Sequence, residues 1–284
     1  MDIGVGGKGM NNSIKKIFMQ KDKIKKMIES SGNSFHYDVI NFLREQDWNV
    51  LVSPYYCDNF SDKSKEVDII AGKDIVLKDY VNSPKMLVKV RLFIECKYVK
   101  YPIVFWFDNK DLNRAESKII NETPLKSRDG NKLIEQHHYM INEEIAKLFS
   151  SDNNKEDVIF KALSQCLNSF IYYRESNFNL FPINRKPSPG LKNLEINYPL
   201  IICNKFENFF RVDKKDGSYS NITSNFQLEA NYAYKDFKGF NINEYFLVDI
   251  IEFGQLKDFL KDIILDGDIN AIKKIEAGPI SNPG

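Results

Sequence analysis

The chain has 284 residues, 43% of them hydrophobic and 28% charged, with a formal net charge of +1. That size and composition suit a globular protein with a sizeable core. The balanced charge excludes a globally basic nucleic-acid or membrane-surface binder, so any nucleic-acid site has to be a local patch. The four cysteines, Cys57, Cys96, Cys166 and Cys203, form no CxxC pair and suggest neither a disulfide framework nor a structural zinc. No apolar run approaches the roughly 18 residues of a membrane span. A cytoplasmic location with no membrane partner is expected.

Residues 1–12 read as a flexible leader. Gly4, Gly6 and Gly9 satisfy GxGxxG, but neither a full preceding strand nor a βαβ unit accompanies them. Residues 13–31 follow as a basic amphipathic helix, with six lysines and one aspartate between Ile14 and Met27. Two readings stand for it. Its apolar side packs on the core, or Lys15, Lys16, Lys23 and Lys26 touch phosphates.

Gly32 breaks the chain. "NSFHYDVINFLREQDW" then predicts a helix with Phe35, Val39, Phe42 and Leu43 inward. "NVLVSPYY" and "EVDIIAG" predict strands, the second ending at Gly72. A turn at "NSP", 82–84, leads into the long apolar stretch "RLFIECKYVKYPIVFWF", 91–107, read as a buried strand. The segment near 108–132 is polar and loop-like, and helical patterns resume near Ile134. "EDVIFKALSQCLNSFIYYRE" predicts a helix with one buried face. "YPLIICNK" and "EYFLVDIIEF" predict buried strands, separated by a polar excursion near 211–240. "GQLKDFLKDIIL" predicts a last helix. The whole of 32–284 reads as a single α/β domain, with a mixed central sheet and helices on both faces.

Two charges stand out in the long strand. Side chains alternate along a strand, so Glu95 and Lys97 project to one side. Burying them costs several kcal/mol each unless they are paired or bind something. Asp68 sits one strand earlier, also among apolar residues. If the strands form a hairpin, Asp68 comes beside Glu95, and a divalent cation relieves the repulsion between the carboxylates. Hard oxygen ligands suit Mg²⁺.

The three segments "GNSFHYDVINFLREQDWNV", "EVDIIAG" and "LFIECKY" together resemble the PD-(D/E)XK nuclease superfamily, with its restriction-endonuclease-like fold. The resemblance covers residues 32–107, with a weaker echo from 155 to 264. It implies an opening helix, a strand meander, and a metal site built from an Asp and an E-x-K. Carried over, Asp68 and Glu95 are ligands, the Cys96 carbonyl a third, and Lys97 holds the attacking water. The implied cofactor is Mg²⁺, with Mn²⁺ as a substitute. The implied activity is endonucleolytic hydrolysis leaving a 5′-phosphate, on DNA ahead of RNA, as in restriction, repair and anti-phage nucleases. A homo-oligomer or a separate targeting subunit would supply specificity. The rival reading is an inactive nuclease-like module that binds nucleic acid or a partner protein.

The chain departs from the pattern at the opening helix. Many members carry an acid there, where this sequence has His36 after Phe35 and Asp38 two positions on. His36, Asp38, Glu66 and Gln165 are therefore additional candidates. Weaker signals come from Tyr172, Tyr173 and Arg174, which can stack and pair with nucleic acid. Asp249 mimics the catalytic strand without an E-x-K. His137 and His138, if helical, would point about 100° apart and share no ion. "DGDIN", 266–270, hints at a calcium loop but lacks its later ligands.

Overall fold

The computed structural model describes residues 19–28, 32–59, 61–77, 86–123, 134–151, 158–176, 180–181, 192–214 and 216–272. The leader, Lys15, Lys16 and the "NSP" turn lie outside the described residues.

The helix α1 (Gly32–Glu45) buries Phe35, Val39 and Leu43, as its sequence predicts, and also Ile40, while Phe42, expected inward, is half-buried against the same cluster. Three strands follow as a meander: β1 (Asn49–Val52), β4 (Ile69–Leu77) and β5 (Met86–Lys97), each antiparallel to the next. A small hairpin, β2 (Tyr55–Cys57) with β3 (Ser64–Glu66), stands between the first two. The helix α4 (Val158–Ser176) precedes β8 (Lys192–Cys203), which lies parallel to β5 along its whole length.

The remaining strands widen the sheet. They are β6 (Ile103–Asn109), β7 (Glu144–Ser151), β9 (Phe209–Val212), β10 (Tyr219–Asn221), β11 (Phe226–Lys235) and β12 (Asn241–Glu252). Among the described residues the sheet has ten strands, in the order β1-β4-β5-β8-β12-β11-β7-β6-β9-β10. Parallel and antiparallel pairs are mixed. One apolar cluster joins α1, the helix α2 (Leu112–Glu122) and the C-terminal helical segment 253–272 to one face. The other joins α4 to the opposite face. The protein is therefore a mixed α/β structure with a large central sheet flanked by helices.

Several expectations need correction. The stretch 91–107 is two strands, because Pro102 lacks the N–H a ladder needs and residues 98–102 leave the sheet. β6 then pairs with β7 and β9, far across from β5. Gly72 does not end its strand; β4 runs on to Leu77. A Cβ there would meet the Phe181 ring at 2.5 Å, so the glycine admits a packed aromatic. The polar segment after Asn109 contains α2, capped by the Asp111 side chain, which accepts from the Arg114 amide at 3.0 Å. The excursion near 211–240 contains β11, a ten-residue strand inside the sheet. Ile134 is helical, as expected, but the described chain then makes only the short helix α3 (His138–Ile141) before β7.

Residues 19–28 are helical, as expected, but every one of them is exposed. Met19 is 71% and Ile24 49% exposed, so this segment does not bury an apolar side in the core. No helix among the described residues is long and apolar enough to cross a membrane.

Candidate active site

Strand alternation sends Val88, Val90, Leu92 and Ile94 of β5 into the cluster under α1, and Phe93 into the cluster under α4. Glu95 and Lys97 share the parity of Phe93 and so point to the α4 side. Asp68 stands just before β4 and shares the parity of Ile70, which also packs under α4. The antiparallel register sets Ile69 against Ile94, so Asp68 falls opposite Glu95.

The three side chains meet. The Lys97 ammonium donates to Glu95 Oε2 at 2.6 Å and lies 3.6 Å from Asp68 Oδ2. Asp68 Oδ2 accepts from the Cys96 amide at 2.7 Å, and Glu95 Oε1 accepts from the Asp68 amide at 3.3 Å. Glu95 is fully buried, while Asp68 and Lys97 remain 23% and 17% exposed at the mouth. Burial, reinforced by Asp68 and opposed by Lys97, pushes the Glu95 carboxyl up to about 8. Burial works against the charge of Lys97, but Glu95 and Asp68 outweigh it and raise the ammonium's pKa. Burial, then Asp68 and Glu95, push the Cys96 thiol well up. Cys96 thus contributes its backbone: the N–H and C=O of a strand residue face the same edge, here the edge toward Asp68.

The additional candidates separate. His36 Nε2 lies 2.9 Å from the Asp68 backbone oxygen, so it braces the loop that carries Asp68. Asp38 is exposed and about 200° around α1 from His36, away from the cluster. Glu66 is exposed on β3. Gln165 of α4 reaches the Glu66 backbone oxygen through Nε2 at 3.4 Å, and its Oε1 is buried without a partner. Lys23 and Lys26 are exposed on the N-terminal helical segment.

Arg174 is committed elsewhere. Its two terminal nitrogens donate to the two carboxylate oxygens of Glu244, at 2.7 and 2.8 Å. Tyr173 donates to the Tyr55 carbonyl at 2.7 Å. These bonds tie α4 to β12 and β2, the packing role rather than the nucleic-acid one.

A second charged cluster was not legible in the sequence. His137 is the extended cap residue before α3, not a helical one, so its ring stacks on His138 at 4.9 Å instead of diverging. His138 Nδ1 meets Asp268 Oδ2 at 2.5 Å and Nε2 meets Asp249 Oδ2 at 3.1 Å. Burial works against charge on His138, but Asp268 and Asp249 push its pKa up to about 10. Burial holds His137 down at about 4. Tyr198 donates to Asp268 at 3.0 Å, and the buried Lys110 donates to Gln227 at 2.6 Å. The ligand atoms of His137, His138 and Asp268 lie within 4.8 Å of one another, a spacing a metal ion would accept. The ion pair of a charged His138 with Asp268 accounts for those two residues without one, and the neutral His137 accepts from the Tyr139 amide through Nδ1 at 3.2 Å. "DGDIN" is helical here, and Asp268 is its buried anchor.

No protein-family model, no curated protein and no solved structure matches this chain.

Proposed function

We propose that the protein is a metal-dependent nuclease of the restriction-endonuclease-like fold, hydrolysing phosphodiester bonds in DNA, with RNA as the alternative substrate. The observation that carries this reading is the convergence of Asp68, Glu95 and Lys97 at the partly open end of a buried strand. The order of α1, a three-stranded meander and a helix carrying Gln165 over the site supports the same fold.

The donor set fits a hard divalent cation. Asp68 and Glu95 offer carboxylate oxygens, the Cys96 carbonyl faces their edge, and the two carboxylates share a single ammonium, Lys97, which leaves one negative charge for an ion to balance. These three groups would hold Mg²⁺, with Mn²⁺ as a substitute. When bound, the ion supplies Lewis-acid polarisation of the scissile phosphate and a lowered pKa for a water. The chain's own groups do the rest. Lys97, with N–H donors only, orients the attacking water or steadies negative charge developing on the phosphate. The Cys96 amide fixes the Asp68 carboxylate, and His36 fixes the Asp68 backbone. The exposed lysines of residues 19–28 would contact phosphates outside the site.

One observation favours the inactive-module reading. Lys97 already closes on Glu95 at 2.6 Å, neutralising it without an ion. Incubation of labelled DNA and RNA with Mg²⁺, Mn²⁺ or EDTA separates the two. Cleavage that depends on the ion supports the nuclease; its absence in every condition leaves the module.

A further inference from the structure

A cavity of about 830 Å³ lies beside the carboxylate cluster. Its walls include Tyr56 of β2, Glu66 of β3, Phe160, Gln165 and Asn168 of α4, and Tyr232 of β11. α4 fixes the cavity relative to the cluster. Cys166, next to Gln165, donates through Sγ to the Phe93 carbonyl at 3.2 Å, two residues before Glu95. Tyr56 is also near. Burial first, and the Glu95 charge next, push its hydroxyl well up, so it stays a donor.

Two atoms of this cavity are buried without partners, the Tyr56 hydroxyl and Gln165 Oε1. Tyr56 is only 2% exposed, so bulk water does not serve it. Buried polar atoms are normally paired, and an exception calls for an explanation. The neighbouring polar groups are satisfied. Asn168 donates to Asp58 at 3.0 Å and accepts from the Tyr232 hydroxyl at 3.1 Å. Asp58 also takes the Lys65 ammonium at 2.7 Å, which leaves it little call for a metal ion or a cationic ligand. What remains inside is an amide acceptor, a hydroxyl and aromatic walls, with the exposed Glu66 and Lys161 as the charged groups that also line the cavity. Phe160 is 62% exposed at this cavity.

That combination selects a flat heteroaromatic group carrying an N–H donor. We propose that the cavity receives the unstacked base of a single-stranded or extruded nucleotide, whose adjoining phosphodiester lies at Asp68, Glu95 and Lys97; this rests on the nuclease reading. A base inside a duplex has its faces covered, so the substrate has to be single-stranded, or locally opened, at that nucleotide. Gln165 Oε1 accepts from the base, the Tyr56 hydroxyl completes the edge, and Phe160 covers a face.

The test measures binding of the full chain to fluorescein-labelled single strands in EDTA, by anisotropy. One strand is intact and others carry an abasic residue at successive positions. Wild type should lose about tenfold at one abasic position, within the range of base–aromatic stacking. Phe160→Ala, an exposed substitution that leaves the core intact, should bind intact and abasic strands alike. Gln165→Leu, which keeps the Phe160 ring but removes the acceptor, should discriminate less than wild type, with an unchanged salt dependence. Equal binding of all strands by wild type, or full discrimination by Phe160→Ala, would overturn the proposal. So would complete displacement of the strand by an equimolar mononucleotide, which would assign the cavity to a free nucleotide. The same proteins are then assayed for cleavage in Mg²⁺ and Mn²⁺. Base-dependent binding without cleavage removes the nuclease reading and keeps base capture. Cleavage with base-independent binding does the reverse.

Discussion

Asp68 is tied to Glu95 and to its neighbour Cys96 by two bonds across the end of a ladder. Glu95 Oε1 accepts from the Asp68 amide at 3.3 Å, and Asp68 Oδ2 accepts from the amide of Cys96, next to Glu95, at 2.7 Å. The pair extends the β4–β5 register one step past Ile69 and Ile94, where ordinary backbone pairing stops. Two carboxylates are thereby fixed side by side, and Lys97 bridges them.

Because Asp68 is oriented by a backbone amide, its replacement should act locally. Asp68→Asn keeps the shape but weakens a charge-assisted bond, and should cost about 1 kcal/mol of stability. Loss of the ligand charge should show separately, as loss of the Mg²⁺-induced rise in Tm. Calorimetry of wild type and variant with and without Mg²⁺ reads both. A variant that keeps the wild-type Mg²⁺ response would remove Asp68 from the ion site.

The His138 cluster makes a different prediction. His138→Ala leaves Asp249 and Asp268 buried without their shared partner, a loss of roughly 3–5 kcal/mol. Urea denaturation should show the midpoint falling steeply. EDTA should leave the wild-type midpoint unchanged, since both His138 nitrogens are already engaged. A fall in EDTA that zinc restores would make this cluster a metal site.

Acid stability should report on Glu244. Burial works against its ionisation, but Arg174, Lys118 and Tyr234 hold the carboxyl down at about 2. A depressed folded pKa gives stability that is present above the unfolded value of 4.5 and is lost as pH falls toward 2. Glu244→Gln should therefore lower stability at pH 7 by roughly 2 kcal/mol, the scale of hydrogen bonds to a charged group. It should also flatten the decline of Tm between pH 4.5 and 2. An acid limb as steep as that of wild type would contradict the assignment.

The exposed helical segment 19–28 offers a test of phosphate contact. Replacing Lys23 and Lys26 with Gln should weaken nucleic-acid binding and reduce the salt slope by about 0.7 to 0.9 log units per lost contact. Unchanged affinity and slope would mean that these lysines touch no phosphate.

The parts of this protein legible in sequence were those set by local periodicity. The inner face of α1, the buried face of α4 and the alternation that puts Glu95 and Lys97 together all follow from 3.6- and 2-residue repeats. What escaped depends on tertiary partners. α2 buries little beyond Ala115, Lys118 and Ile119, so its polar sequence read as a loop. β7 is half-exposed, and its pairing with β6 and β11 is invisible locally. β6 continues an apolar run yet crosses to the far half of the sheet, which no pattern within 91–107 encodes. The His138–Asp268 pair spans 130 positions, and nothing near either residue announces the other.

The most direct test of the central claim is cleavage of labelled DNA and RNA by wild type, Glu95→Gln and Lys97→Ala, in Mg²⁺, Mn²⁺ and EDTA. Wild type should cut in Mg²⁺ or Mn²⁺ and not in EDTA. Each variant should lose at least about a hundredfold in rate, the scale of removing one group that acts in the transition state, while melting cooperatively and still binding nucleic acid. Wild-type protein that cuts nothing, together with variants that melt far lower whether or not Mg²⁺ is present, would contradict it and leave Asp68, Glu95 and Lys97 as a structural ion-pair cluster.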